Sequence, residues 1–200
     1  TSRMLSLSSE WQTQQLNLTL IASYNEIKNR ISMVEEDGGN TQRYRNTSTK
    51  AQLLNLQASL RWRLPLGFHF AGDYVWLRDL DRVMSKSGRS LPFASTRPHN
   101  FTSTLGWEHR LGRYALSASY TLRGSSSVET AQYNTDLKDY LSVRHEGFPL
   151  SRLHAGIAWR DHIRLGAGID NLFDYHPETL NVTGSTSPGR SYYLSLGLSL

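Results

Sequence analysis

Short stretches of this chain alternate an apolar residue with a small or polar one, and four of them carry that alternation to a Trp just before a tight turn. Leu5, Leu7, Ser9 and Trp11 share one phase, as do Leu54, Leu56, Ala58, Leu60 and Trp62. Phe101, Ser103, Leu105 and Trp107 repeat it, and so do Leu153, Ala155, Ile157 and Trp159. Alternate residues of a strand point to one side of its sheet. An indole has an apolar body and one N–H that seeks water. Trp at a constant end of successive hairpins is therefore what a membrane–water boundary selects. The pattern predicts an all-β fold, the wall of an antiparallel transmembrane β-barrel.

Composition agrees without deciding the matter. No run approaches the roughly 18 apolar residues of a membrane helix, but hydropathy is blind to strands whose alternate residues face a polar bore. With no Cys in 200 residues, a disulfide framework, a thiolate metal site and a thiol nucleophile are excluded. The net charge of +5 is scattered over loops and turns rather than gathered in one run. Anionic lipopolysaccharide outside a barrel suits it as a counter-charge, and nucleic acid is not expected as a partner. The chain starts at Thr1 with no basic-then-apolar leader, which reads as the later part of a longer polypeptide.

The alternation predicts nine strands, over 3–12, 16–27, 50–63, 67–78, 100–109, 113–123, 151–160, 162–171 and 190–200. Tight turns at 12–15, 64–67, 110–113 and 160–162 alternate with long links at 28–49, 79–99, 124–150 and 172–189. Membrane barrels have short periplasmic turns and long extracellular loops, so this alternation orients every strand. One phase carries Leu18, Tyr24, Phe70, Trp76, Leu116, Tyr120, Leu165, Tyr192 and Leu196 and is assigned to lipid. The other carries Asn17, Thr19, His69, Asp73, Thr104, Ser119, Arg164, Gly168, Asp170 and Ser195 and is assigned to the lumen. Trp11, Trp62, Trp107 and Trp159 are read as a periplasmic girdle, with Tyr24, Trp76, Tyr120 and Tyr192 towards the outer interface.

Catalytic motifs are missing. No phosphate loop, zinc-protease helix or nucleophile elbow is present, and neither enzyme activity, a cofactor nor a resident metal is expected. Ser151 and His154 are sequence neighbours without convincing partners. Ligand contacts are sought in the long links: Arg43, Tyr44 and Arg45; Arg82, Lys86 and Arg89; Tyr133, Tyr140 and Arg144. Aromatic faces with Arg charge suit an anionic, partly apolar cargo such as an iron chelate. A haem receptor would want an axial His near the outer mouth, which His145 or His176 is placed to supply, but no spacing supports ligation and a polar loop role is the favoured reading.

Near the carboxy end, Gly166-Ala-Gly-Ile-Asp-Asn-Leu-Phe-Asp174 precedes a loop, and Ser187-Pro-Gly-Arg-Ser-Tyr-Tyr-Leu194 opens the last strand. This pair of motifs resembles the end of the barrel in TonB-dependent outer-membrane receptors. Asn171, Leu172, Phe173, Asp174, Pro188, Gly189 and Arg190 carry the resemblance, with Arg97-Pro98-His99 a looser echo upstream. Asn171 and Asp174 are suited to bonding local backbone, Leu172 and Phe173 to anchoring the loop base, and Arg190 to reaching a carboxylate or phosphate. The final Leu200 departs from the terminal aromatic such barrels commonly carry.

The resemblance implies a bacterial outer-membrane location and a barrel of roughly 22 strands filled by a plug. It also implies energised import, through a TonB-type partner, of a scarce bulky nutrient: ferric siderophore, haem, cobalamin or glycan. Residues 1–200 would then be one partial-barrel domain, completed by further strands and a plug from the same or a second polypeptide. A passive porin and a soluble carbohydrate-binding β-sandwich are the alternatives.

Overall fold

The computed structural model describes all residues except 29, 37–40, 48–49, 81, 93–95, 135, 161, 177–188 and 200; the side chains of 30–36, 41–47 and 83 are likewise outside the description. Nine strands form one antiparallel sheet: β1 (Ser2–Gln12), β2 (Leu16–Ile27), β5 (Ala51–Arg63), β6 (Phe68–Asp79), β9 (His99–Leu111), β10 (Tyr114–Ser125), β13 (Phe148–Trp159), β14 (Ile163–Asp170) and β15 (Ser191–Leu198). Each pairs with its neighbour in that order, an up-and-down meander. The sheet is an unclosed arc, with β1 and β15 as its edges. The nine expected strands are these nine, with ends shifted by a few residues.

The short links are tight for local reasons. Thr13 Oγ1 accepts the Leu16 amide at 3.0 Å. The β5–β6 link contains a single 3-10 turn, Pro65–Gly67. Gly67 has φ +84°, and a Cβ there would stand 2.0 Å from the Glu108 carbonyl oxygen, so only glycine fits. Between β9 and β10 the turn is tighter than the sequence suggested: β9 runs on to Leu111 and leaves only Gly112 and Arg113, with Gly112 at φ +60°.

Register sorts the side chains into two faces. On one face a row runs Leu16, Trp62, Phe70, Leu105, Tyr120, Leu153, Ile169, Tyr192. On the other, a row runs Gln12, Asn17, Arg61, Ala71, Thr104, Thr121, Arg152, Asp170, Ser191. The apolar row starts at the short-turn end of β2 and finishes at the long-loop end of β15. That climb is the stagger of tilted barrel strands. It explains how Trp62 and Tyr192 share one row yet lie at opposite rims.

No second layer covers the apolar face among the described residues. Leu56, Leu165 and Leu196 are 47%, 53% and 64% exposed, and Leu194 is 88% exposed. A folded soluble monomer of 22.7 kDa would expose about 9,500 Å², whereas this chain exposes 14562 Å². The excess belongs to a single-layer sheet whose apolar face, like its polar one, has no covering layer among the described residues. A soluble sandwich would have buried the apolar face, so the sandwich alternative is set aside.

The long links are not plain loops. Three of them fold into hairpins beyond the sheet: β3 (Arg30–Glu36) with β4 (Thr41–Thr47), β7 (Arg82–Met84) with β8 (Ser90–Pro92), and β11 (Val128–Asn134) with β12 (Asp139–His145). Leu91 and Val128, the buried hydrophobic side chains among the described residues, both belong to these hairpins.

Candidate functional site

The outer end of the sheet brings two of the predicted loop clusters together. Strand β8 lies against β11, with Leu91, Val128 and Thr130 buried. The Asp139 carboxylate accepts the Lys86 amide at 2.8 Å and the Tyr140 amide at 2.8 Å. Lys86 Nζ donates to the Leu137 carbonyl at 3.3 Å. Two hairpins far apart in sequence thus share a small core and a carboxylate clasp.

Within β11–β12, register divides the candidates. Glu129, Ala131 and Tyr133 pair with Arg144, Ser142 and Tyr140 on one face. Val128 and Thr130 pair with His145 and Val143 on the other, buried face. Tyr133, Tyr140 and Arg144 therefore share the face turned away from β8. The two rings meet edge to face, with centroids 5.2 Å apart. His145 lies on the docked face and is half-buried, away from that surface. Arg82 and Arg89 are exposed on the β7–β8 hairpin, where the Arg89 amide donates to Ser85 Oγ at 3.2 Å. Arg43, Tyr44 and Arg45 fall on β4, and their side chains lie outside the described residues.

Arg97 organises the base of this assembly. Its guanidinium donates to the carbonyls of Ser126 (2.6 Å) and Glu146 (2.7 Å) and lies 5.3 Å from the Phe148 ring centroid. The sequence marked it only as part of a motif; nothing local announces partners so distant along the chain.

The Asn171-Leu172-Phe173-Asp174 segment is a backbone clasp. Asn171, buried and at φ +52°, bonds Tyr175 twice, Nδ2 to its carbonyl and its amide to Oδ1, both at 2.9 Å. Asn and Asp tolerate this left-handed conformation best among residues with a side chain, and Asp174 shares it at φ +55°. The Leu172 amide reaches the Ser151 carbonyl at 3.0 Å. Asp174 Oδ1 accepts the Arg190 backbone amide at 2.7 Å, and His176 Nε2 lies 3.2 Å from the same oxygen. The Arg190 amide, then the neighbouring His176 and the Arg190 charge, hold the Asp174 carboxyl below its ordinary 3.8. The amide of Arg190 closes this loop, and its charge also acts on the Asp174 carboxyl. Gly189, at φ +82°, passes close to His176. Leu172 is half-buried, and Phe173 is 65% exposed among the described residues. Pro188 lies outside the described residues.

The four girdle indoles share the outer face at the short-turn end. Trp11, Trp62 and Trp159 are exposed. Trp107 is half-buried, its Nε1 donating to the Leu66 carbonyl at 3.2 Å. On the inner face, Arg61 grips Asp73 with two bonds of 3.0–3.1 Å, and Ser59 donates to Asp73 at 2.6 Å. Arg152 and Asp170 form a second pair, and His154 stacks on Tyr193. Ser151 and His154 belong to opposite faces, since Ser151 pairs with Leu122 and His154 with Ser119. They cannot form a nucleophile–base couple. Among the described residues no group of three or more His, Asp or Glu is placed to hold a metal.

Comparison with known proteins gives the class. The model of the TonB dependent receptor-like β-barrel family matches residues 1–172. The chain belongs to that family, whose barrels lie in the outer membrane of Gram-negative bacteria. Solved structures with the same fold include a ferric enterobactin receptor from Pseudomonas aeruginosa, at 22% identity and TM-score 0.68 over 98% of this chain. An iron transporter from Neisseria meningitidis matches at 11% identity and TM-score 0.72 over 98% of it. A copper transporter matches at 15% identity and TM-score 0.71 over 100% of it. The chain spans 30%, 30% and 31% of those three chains respectively. No curated protein matches.

Proposed function

We propose that this chain forms part of the wall and the outer hairpins of an energised importer that takes an anionic, partly apolar metal chelate from outside the cell. The observation that supports the reading is the outward face of β11–β12, which carries the Tyr133–Tyr140 edge-to-face pair and, four residues further along β12 and opposite Glu129, Arg144, on a hairpin clasped to its neighbour. Rings and a guanidinium held on one rigid surface suit a flat, negatively charged ligand. Among proteins of the same fold, one is named for ferric enterobactin and another for copper, so the chelated metal is left open between iron and copper. Residues 1–200 act as one partial-barrel unit. Further strands complete the barrel, a plug fills its bore, and a TonB-type partner pulls on that plug. Lipid and lipopolysaccharide contact the outer face.

The test uses the full-length receptor. Binding is titrated with ferric catecholates, haem, cobalamin and cupric ion, and uptake is followed with and without the energised partner. Replacing Tyr133 and Arg144 together by Ala should weaken chelate binding about 10- to 100-fold. Uptake that proceeds without the partner, through a conducting pore, would establish a porin instead.

A further inference from the structure

The outer face of β15 does not by itself fix how that strand pairs with β14. Tyr192, Leu194, Leu196 and Leu198 lie opposite Ile169, Ala167, Leu165 and Ile163. A slip of two residues either way keeps all of these side chains on the lipid side and again sets apolar against apolar. A slip of one is excluded, because it would turn the leucines into the bore. The antiparallel ladder repeats every two residues, so its hydrogen bonds are equally indifferent. The choice of register falls to the inner face.

There the pairs are Asp170–Ser191, Gly168–Tyr193, Gly166–Ser195 and Arg164–Gly197. Tyr193 is the bulky member of the β15 set, and its ring lies across Gly168. A Cβ on Gly168 would stand 2.4 Å from the Tyr193 Cζ and hydroxyl, so the slot exists only because that position is bare. Strand β14 has a second bare position two residues away, Gly166, but it is taken. Ser195 Oγ and His154 Cε1 lie 2.6 and 2.9 Å from where its Cβ would stand. His154 comes from β13, opposite Gly168. Its ring stacks on Tyr193, with centroids 6.0 Å and planes 9° apart, and its Nδ1 shares a hydrogen bond of 3.1 Å with the Tyr193 hydroxyl. A slip the other way would set Tyr193 against Asp170, which has a side chain and is held by Arg152.

We infer that Tyr193 and His154 form a register lock for β15: Tyr193 is the key that enters the Gly168 slot, and His154 is the stop that closes the neighbouring Gly166 slot to it. The consequence reaches beyond one strand pair. Strand β15 is an edge of the sheet, and its register sets the height at which that edge meets the next strand of the wall. Strand number and stagger must agree for a barrel to close, so an error of two residues here would propagate into closure. The lock does not depend on which cargo the assembly carries.

The experiment is disulfide cross-linking in the full-length receptor, freed of any other Cys and reconstituted in lipid. Ala167→Cys with Leu194→Cys reports the observed register. Leu165→Cys with Leu194→Cys reports a two-residue slip, because in the observed register these positions are diagonal neighbours about 7–8 Å apart, too far for a disulfide. With His154 and Tyr193 intact, the first pair should link and the second should not. His154→Ala, which opens the Gly166 slot, should raise the yield of the second link relative to the first at least about tenfold. Tyr193→Ala should do the same, and Tyr193→Phe, which keeps the ring without its hydroxyl, should do so more weakly and serves if Tyr193→Ala fails to assemble. Asp174→Ala, which releases the Arg190 amide at the loop base, should leave the ratio where it was. A ratio unchanged by His154→Ala overturns the lock. So does a loss of both links together, the mark of a merely weakened fold, and so does a ratio moved more by Asp174→Ala than by His154→Ala.

Discussion

Leu56 offers a quantitative test of which side of the sheet meets lipid. It lies in β5 with its side chain 47% exposed, between Ala22 of β2 and Trp76 of β6. Six residues separate it from Trp62, along a strand tilted against the membrane normal. At about 3.3 Å per residue and a tilt of about 45°, that places it about 14 Å from the girdle, near the middle of an apolar band about 25 Å tall. An Arg facing hydrocarbon at that depth costs about 2–4 kcal/mol. At 1.36 kcal/mol per factor of ten, Leu56→Arg should shift the folding equilibrium by roughly 30- to 900-fold. Gln57, one residue away, pairs with Ile21 and Val75 on the opposite face. Gln57→Arg, on the polar bore face, should cost clearly less than Leu56→Arg. The assay is urea-dependent folding of the full-length receptor into liposomes, read by the heat-dependent gel shift of a folded barrel. Equal costs for the two substitutions, or a larger cost at Gln57, would refute the facial assignment.

Other expectations follow from single contacts. Gly67→Ala should destabilise the barrel by more than about 2 kcal/mol, because left-handed strain adds to a clash with the Glu108 carbonyl. Gly88→Ala, at φ +78° with nothing within 4 Å, should cost only about 1 kcal/mol by the same urea titration. Asp139→Ala should release β7–β8 from β11–β12 and speed hydrogen exchange at the Lys86 amide, whereas Lys86→Ala, which keeps that amide, should not. The Asp174 clasp has a carboxyl below its ordinary 3.8. Its contribution is therefore complete above 3.8 and is lost only as pH falls through the lower folded value. Exchange at the Arg190 amide should stay slow from pH 7 to pH 5 once corrected for intrinsic rate, and Asp174→Ala should abolish that protection. A loss of protection near neutral pH in the wild type would show that the carboxylate is not the acceptor.

The sheet was legible because its signal is local and redundant. Every second residue of Leu16–Ile27 or Tyr114–Ser125 repeats the same choice between lipid and bore, so errors at one position are corrected by the next. The outer hairpins were not legible. Arg82–Met84 and Ser90–Pro92 are three residues each, too short to display a period, and Thr41–Thr47 is polar throughout. Their docking depends on Lys86 and Asp139, 53 residues apart, a contact that no local pattern encodes. Asn171 announced its turn through its own chemistry, since Asn accepts a left-handed backbone and bonds nearby peptide groups. Arg190 contributes in a way its residue type does not announce: its backbone amide, beside its charge, holds the Asp174 carboxylate. Arg144 and His145 are adjacent in sequence but belong to opposite faces of β12, a separation that depends on knowing the hairpin exists.

The two-sided wall is tested most directly by spin labels placed one at a time from Leu116 to Leu122 in the full-length receptor reconstituted in lipid. The chain has no Cys of its own to interfere. Labels at 116, 118, 120 and 122 should be relaxed strongly by dissolved oxygen, which concentrates in the bilayer, and those at 117, 119 and 121 should be shielded from it. Oxygen accessibility that is uniform along the strand, or that alternates in the opposite phase, would contradict the assignment of this sheet to a lipid-embedded barrel wall.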